Sequence, residues 1–520
     1  MNELDSSAMK EEIRNKFRKL TGLSHIDIEE EQIGLETFLR FKVGQNAPLY
    51  KQALAIISRE LSPDGEFHGR LTLDVVKEKY TLKSRETDLL RSLIARSLTV
   101  TSDQASKEFT VEFVPFRGGE EQTITQAANH VILGRRGVGK SSLILLGVRT
   151  LQSYGDVPVW IDLEPYRGRR DPACVVEVIR EVFRIAAARY SALGNRSASE
   201  TITQLVTTLS RGGLANLSQD KVEGLLPEIR GIVRELTQKT KKQLYVFLDD
   251  AHKVSTELQP FLFDAMHSVL KGAGAWLNVA AVKHLTRLRD SGHNIGLQPP
   301  HDAQLIDLDL TLTDPKAARD HLVAILDKCL SMCGINRRGS IIAGAAVERL
   351  VWCSAGVPRD FLSLFQTAIQ HALQNHRSRV GVQEVNIAAG ESGQTRMQDL
   401  ANDTTENAES LRGFLDRLQR KCLDDLGSNS FLARQAPRHA GYAFLQKLMD
   451  LRLIHLLHPS ITPGKAGERY EAYLLDYSFY TGVRRRHGLK ELKISSDAPP
   501  RYAELRKLPK IDVETLVTAA

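Results

Sequence analysis

The chain has 520 residues, of which 42% are hydrophobic and 26% charged. That is too apolar for a disordered polymer and long enough for roughly three or four domains. Lys and Arg number 70 against 63 Asp and Glu, a net charge of +7, which permits an anionic partner without demanding one and excludes large basic or acidic tails.

The cysteines Cys174, Cys329, Cys333, Cys353 and Cys422 are scattered and lack zinc-binding spacing, so reduced thiols are expected rather than disulfides. The opening MNELDSSAMKEEIRNKF is too charged for a secretory leader, and no run reaches the ~18 apolar residues of a membrane span. A cytoplasmic chain without membrane contact is expected.

Residues 1–114 read as a polar, mainly helical domain. Leu71–Tyr80 and Ser84–Leu98 are amphipathic at helical spacing, with Ser84 a candidate N-cap. Leu98–Val114 alternates around a polar turn, as a hairpin does. Helix, turn, helix and hairpin is winged-helix order, and also the order of many small domains. Residues 115–312 alternate short apolar strands with helical patterns. The strands are Val131–Leu133, Val157–Leu163, Gln243–Asp249, Trp276–Val282 and Gln304–Leu310, rich in Val, Ile and Leu as covered parallel strands are. Helical patterns near Ala173–Tyr190, Ala198–Ser210 and Lys221–Gln238 lengthen the stretch between the second and third strands. Residues 313–395 show only helical spacing. Residues 400–493 read as helix Leu411–Leu426, helix Tyr442–Arg452, strand, turn and strand, again winged-helix order, and 494–520 as a polar tail.

The strongest motif follows the first core strand. Gly134, Arg135, Arg136, Gly137, Val138, Gly139, Lys140 and Ser141 fit GxxxxGK[ST] without mismatch, between a strand and a helix. Glycines let successive backbone N–H groups face a phosphate, Lys140 neutralises β- and γ-phosphate charge, and the Ser141 hydroxyl ligates Mg²⁺. With Ser142 these residues form the candidate ATP site. The third strand ends in Asp249 and Asp250. Asp249 is the candidate Mg²⁺-side carboxylate, and Asp250 stands where a water-polarising Glu is common, one methylene shorter. The alternative for this acid pair is a helix N-cap. His252 follows, and a surface position is expected for it.

These motifs make the chain resemble an AAA+ ATPase, most similar to the origin-recognition and cell-division-control initiators in a divergent prokaryotic form. The resemblance rests on the phosphate loop, the strand order, the lead-in segment Phe116-Arg117-Gly118-Gly119-Glu120-Glu121 and the lid motif Ala355-Gly356-Val357-Pro358-Arg359. It implies an α/β fold: a P-loop AAA+ parallel-sheet core with helical lid, a C-terminal winged helix and an N-terminal helical or winged-helix-like domain. It also implies roles. Lys283 lies at the first sensor position, Arg359 at the second, and Arg287 or Arg289 is an arginine finger acting on a neighbouring copy, or else a solvated helix residue. The family's relatives form oligomers, so a homo-oligomer is implied. The interval from Lys140 to Asp249 is longer than the family's. The LDDAH strand and GVP of the lid also resemble STAND signalling ATPases.

In such relatives the C-terminal winged helix touches DNA. Arg438, Lys447 and Arg452 on or beside its helix, Lys465 and Arg469 in its wing, and Arg484, Arg485 and Arg486 after it suit phosphate contact. Protein packing is the alternative for this face. Tyr473, Tyr477 and Phe479 are expected on one buried face of an alternating strand. The expected function is a Mg²⁺- and ATP-dependent switch that engages DNA. Its rival is a sensor ATPase in a multi-protein antiviral defence system that recruits an effector protein encoded elsewhere.

Overall fold

The computed structural model describes residues 3–34, 36–76, 81–101, 111, 113–115, 118–211, 217–402, 408–436, 439–463, 468–481, 489–490, 492 and 501–518. Phe116, Arg117, Arg438, Lys465, Arg484, Arg485, Arg486 and most of the expected hairpin at Leu98–Val114 lie outside the described residues. The chain divides into two compact units, one from Met1–Thr99 and Leu310–Ala520, the other from Pro115–Asp309.

The N-terminal part of the first unit runs α1 (Glu3–Thr21), β1 (Ile28–Ile33), β2 (Glu36–Val43), α2 (Pro48–Glu60), β3 (Leu71–Val75) and α3 (Arg85–Ser97). β1 and β2 pair antiparallel, and β3 lies parallel to β2 after the crossover through α2. The helix expected over Leu71–Tyr80 is therefore a strand as far as Val75. Over so short a run, the alternation of Leu71, Leu73 and Val75 with Thr72 and Asp74 fits either period. Pairing of Leu71 opposite Leu39 decides it. Ser84 does precede α3, but its hydroxyl bonds to the Thr81 N–H at 2.8 Å and not to the helix.

The second unit runs α4 (Glu120–Thr123), β4 (His130–Leu133), α5 (Lys140–Ser153), β5 (Val157–Asp162), α6 (Ala173–Ala192), α7 (Arg196–Arg211), α8 (Gln219–Thr240), β6 (Leu244–Asp249), α9 (Gln259–Leu270), β7 (Ala275–Ala281), the two-residue strands β8 (Arg289–Asp290) and β9 (Ile295–Gly296), and β10 (Gln304–Asp307). Five strands form one parallel sheet in the order β10-β4-β7-β6-β5. β4 and β6 are buried at every position, as strands covered on both faces must be. Apolar stripes of α6, α8 and α9 join them in one core. Parallel pairing sends every strand's C-terminal end to the same edge, and the phosphate-loop and double-aspartate motifs both begin there.

The first unit resumes with the helical lid, α10 (Pro315–Met332), α11 (Gly344–Ser354), α12 (Pro358–Gln374) and α13 (Val382–Asn402). A winged-helix module follows: α14 (Ala408–Gln419), β11 (Ser430–Arg434), α15 (Ala440–Asp450), β12 (Ile454–Ile461) and β13 (Tyr470–Leu475). The chain then adds α16 (Tyr502–Leu505), β14 (Lys510–Ile511) and α17 (Thr515–Thr518). The sheet order is β12-β13-β11-β14. Two expectations change here. The polar break between the two helices contains β11, and the polar tail returns as β14, parallel to β11. The aromatic run also divides. Tyr473 is buried in β13, stacked on Phe431 at 5.5 Å, but Tyr477–Phe479 is a 3₁₀ turn because Asp476 caps it through the Ser478 N–H. The lid and the N-terminal part share one apolar core, in which Phe17, Phe41, Tyr50 and Leu90 pack with Leu326, Cys329, Phe361 and Phe365. The five cysteines are buried and free, as expected.

The fold is thus α/β: a five-stranded parallel-sheet core carrying the phosphate-loop motif, a helical lid, a C-terminal winged helix and an N-terminal domain with three helices on a small sheet. No helix among the described residues is long and apolar enough to cross a membrane.

Candidate nucleotide site and nucleic-acid surface

The turn from β4 into α5 is made by glycines. Gly137 and Gly139 have φ of 83° and 106°, left-handed conformations that a Cβ disfavours, and Gly139 is the N-cap of α5. The loop therefore opens onto the unsatisfied N–H groups of the first helical turn, where an anion is favoured. Val138 is buried and anchors the loop, and Arg135 is tied to Asp309 at 2.6 Å. Lys140 is buried, its Nζ donating to the carbonyls of Gly134 at 2.9 Å and Arg135 at 3.1 Å.

Asp249 ends β6 on the same sheet edge and is 5% exposed. Burial, with the Asp250 charge beside it, pushes its carboxyl up to about 6, against hydrogen bonds from the Ser141 hydroxyl and the Asp250 N–H and the charge of Lys140. Ser141 and Asp249, far apart in sequence, thus meet as two oxygen donors, with the Lys140 charge close enough to act on the carboxyl. A buried carboxylate with surplus negative charge beside a hydroxyl fits a hard divalent cation such as Mg²⁺. Asp250 has φ 51° and ψ 37°, a conformation Asp tolerates better than most residues. It precedes a 3₁₀ turn at Ala251–Lys253 but makes no side-chain cap bond, so the capping alternative lacks its hydrogen bond.

His252 is buried, not at the surface. Among the described residues both its ring nitrogens lack hydrogen-bond partners, and burial holds its pKa well below the usual histidine value. The Asp250 carboxylate lies 3.8 Å from its Nδ1. Lys283 is exposed at the start of a 3₁₀ turn just beyond β7. Arg287 and Arg289 lie in and beside the β8–β9 hairpin, not on a helix. Arg287 pairs with Asp290 at 2.8 Å, and Arg289 bonds Gln298 at 2.8 Å and also reaches Asn294. Gln259, which no motif announced, organises this loop. It is buried at the start of α9, accepts the Arg287 N–H at 2.7 Å and donates to the Val254 carbonyl at 2.8 Å. Arg359 is exposed in the first turn of α12, in the other unit.

On the winged helix, Lys447 on α15 and Arg469 before β13 are exposed. Arg452 has a different occupation: its guanidinium pairs with Asp360 of the lid. The fold adds two exposed cations that sequence reading passed over. Arg434 faces Tyr470 in the β11–β13 register, and the Lys510 ammonium lies 5.0 Å from the Tyr470 ring centre. Lys510 gave no local signal because it stands in a polar stretch that only sheet pairing brings to Tyr470.

No protein-family model matches the chain, and no curated protein matches it. Solved structures similar to it include the Aeropyrum pernix ORC1 protein in complex with DNA, at 15% identity over 72% of this chain and 92% of that one, with a TM-score of 0.39. The Aeropyrum pernix ORC2 protein aligns at 12% identity over 80% and 98%, with a TM-score of 0.37. The Drosophila ORC bound to DNA aligns at 13% identity over 82% and 96%, with a TM-score of 0.36. Likeness this distant adds nothing to the strand order and loop geometry described above.

Proposed function

We propose that this chain is a Mg²⁺-dependent ATPase of the AAA+ switch type that engages DNA through its C-terminal module and acts as a homo-oligomer. The observation that carries this reading is the meeting of Ser141 and Asp249, under the charge of Lys140, at the C-terminal edge of the sheet.

The N–H groups of Gly137, Val138 and Gly139 bind phosphate oxygens, with Ser142 in the same helical turn. Lys140 exchanges two carbonyl partners for β- and γ-phosphate oxygens. Ser141 and Asp249 would hold the metal, Asp249 as its carboxylate. Mg²⁺, when bound, neutralises charge on the phosphates. Asp250 accepts a hydrogen bond from the attacking water. Lys283 and Arg359 read the γ-phosphate, and Arg287 or Arg289 serves the site of a neighbouring copy. Lys447, Arg469 and the Arg484, Arg485, Arg486 run, with Lys465, contact DNA phosphates.

The test is ATP turnover with and without DNA, alongside a mass measurement in each nucleotide state. Lys140→Ala should abolish ATP binding. Asp250→Asn should retain binding and lose at least about tenfold in turnover. Wild-type turnover that survives Lys140→Ala would sink the assignment. Turnover and mass indifferent to DNA, but responsive to a separately encoded protein, would favour the sensor reading instead.

A further inference from the structure

The small N-terminal sheet has an edge that the switch chemistry does not use. β3 is its last strand, with β2 on one side and no described strand on the other. The pairing with β2 begins with the Arg70 carbonyl accepting from the Leu39 N–H and ends with the Val76 N–H donating to the Val43 carbonyl. A parallel ladder alternates, so Arg70, Thr72, Asp74 and Val76 face β2. Leu71, Leu73 and Val75 therefore direct their N–H and C=O groups outward. Such a row is a template for one more strand.

A groove of about 520 Å³ runs along this same edge. Its strand wall includes Leu71, Leu73 and Val75, and its helix wall is one face of α2, Lys51, Leu54, Ala55 and Ser58, at spacings of three and four residues. Val75 and Val76 are 40% and 41% exposed, unusual for β-branched residues beside a strand edge. β2 and β3 are parallel, so α2 runs back against β3. Its first turn, with Lys51, therefore lies by the Val75 end. Lys51 is exposed, and none of the ion pairs among the described residues uses it. The N-terminal end of α2 adds positive potential there.

We propose that this groove binds an extended peptide segment of a partner protein, which adds to β3 as a further strand and sets an acidic side chain against Lys51. Alternate residues of the peptide face α2, so apolar side chains every second position fill the space beside Leu54 and Ala55. Backbone pairing supplies affinity, while the apolar alternation and the acid supply selectivity. The proposal stands independently of the nucleotide site.

The full chain is panned against a phage-displayed random-peptide library, and enriched peptides are titrated by fluorescence anisotropy. The enriched set should alternate apolar residues and carry an acid towards one end. Leu73→Pro removes an outward N–H that the sheet does not use, a change edge strands tolerate, and should weaken binding at least about tenfold. Lys51→Glu, at an exposed helix position where folding is not at stake, should do the same. ATP binding should be unchanged in both. The proposal is overturned if no consensus is enriched, or if enriched peptides bind Lys51→Glu as tightly as wild type. It is equally overturned if the wild-type chain proves to be a dimer that Leu73→Pro dissociates, because the occupant is then a second copy.

Discussion

Burying Asp249 beside Asp250 costs the metal-free protein stability at neutral pH. The carboxyl titrates at about 6 in the fold against an ordinary 3.8. Below 3.8 both folded and unfolded chains are protonated and no penalty exists. As pH rises towards 6 the unfolded chain ionises first, and the loss, about 3 kcal/mol, is complete above about 6. Asp249→Asn should therefore raise metal-free stability at pH 8 by up to that amount in urea unfolding, while abolishing Mg²⁺-dependent turnover. His252 works in the opposite sense. Its depressed pKa means that the unfolded chain takes the proton first, so its contribution is present above 6.5 and lost on acidification. With the Asp249 carboxyl removed, the melting temperature of Asp249→Asn should fall more steeply below pH 6.5 than that of wild type. Identity and spacing revealed Asp249 and Lys140 in the sequence. They could not reveal that His252 is buried, because its neighbours come from distant segments.

At the scale of elements, the lid and the winged helix are joined by buried charge. Arg396 of α13 lies 3.2 Å from Asp476 and 3.6 Å from Asp360 of α12, and Arg452 also pairs with Asp360. His455 on β12 reaches the same Asp476 oxygen at 2.9 Å. Burial alone would push the Asp476 carboxyl up, but the Arg396 charge and the His455 bond hold it well below the usual range. Asp360→Ala should cost about 3 kcal/mol, because it leaves two arginines short of a partner in a partly buried site. Thermal melting checks this. The same network separates cations paired within the protein from cations exposed at its surface. Lys447→Ala and Arg469→Ala should each lower the salt slope of DNA binding by about one, while Arg452→Ala should leave the slope unchanged among molecules that remain folded. Four of the five core strands, β4, β5, β6 and β7, were legible because strands covered on both faces read as apolar runs, and β10 by its Leu/Ile content though it is an exposed edge strand. β1, β3, β11 and β14 were not. They are short and partly polar, and β3, β11 and β14 are held by partners distant in sequence, while β1 pairs with the β2 that follows it.

Across the whole molecule, Met1–Thr99 is no separable bead on the lid. Its aromatic residues and the lid helices complete one core, with Tyr50 fully buried within it. Tyr50→Ala should cost about 3–5 kcal/mol and lower the melting temperature of the lid along with that of the N-terminal part. Removing 1–99 should expose that lid surface and make the remainder aggregate, as read by light scattering. The sequence by itself determined the phosphate loop, its strand and helix flanks and the carboxylate at the end of a buried strand. Those features are local, set by residue type and spacing within a few positions. Only the tertiary structure decided that Ser141 meets Asp249, that Arg452 binds the lid, that Lys510 lies by the Tyr470 ring, and that no described strand pairs with the outer edge of β3. Each of these depends on strand order and register, which bring together residues that no short window of sequence connects.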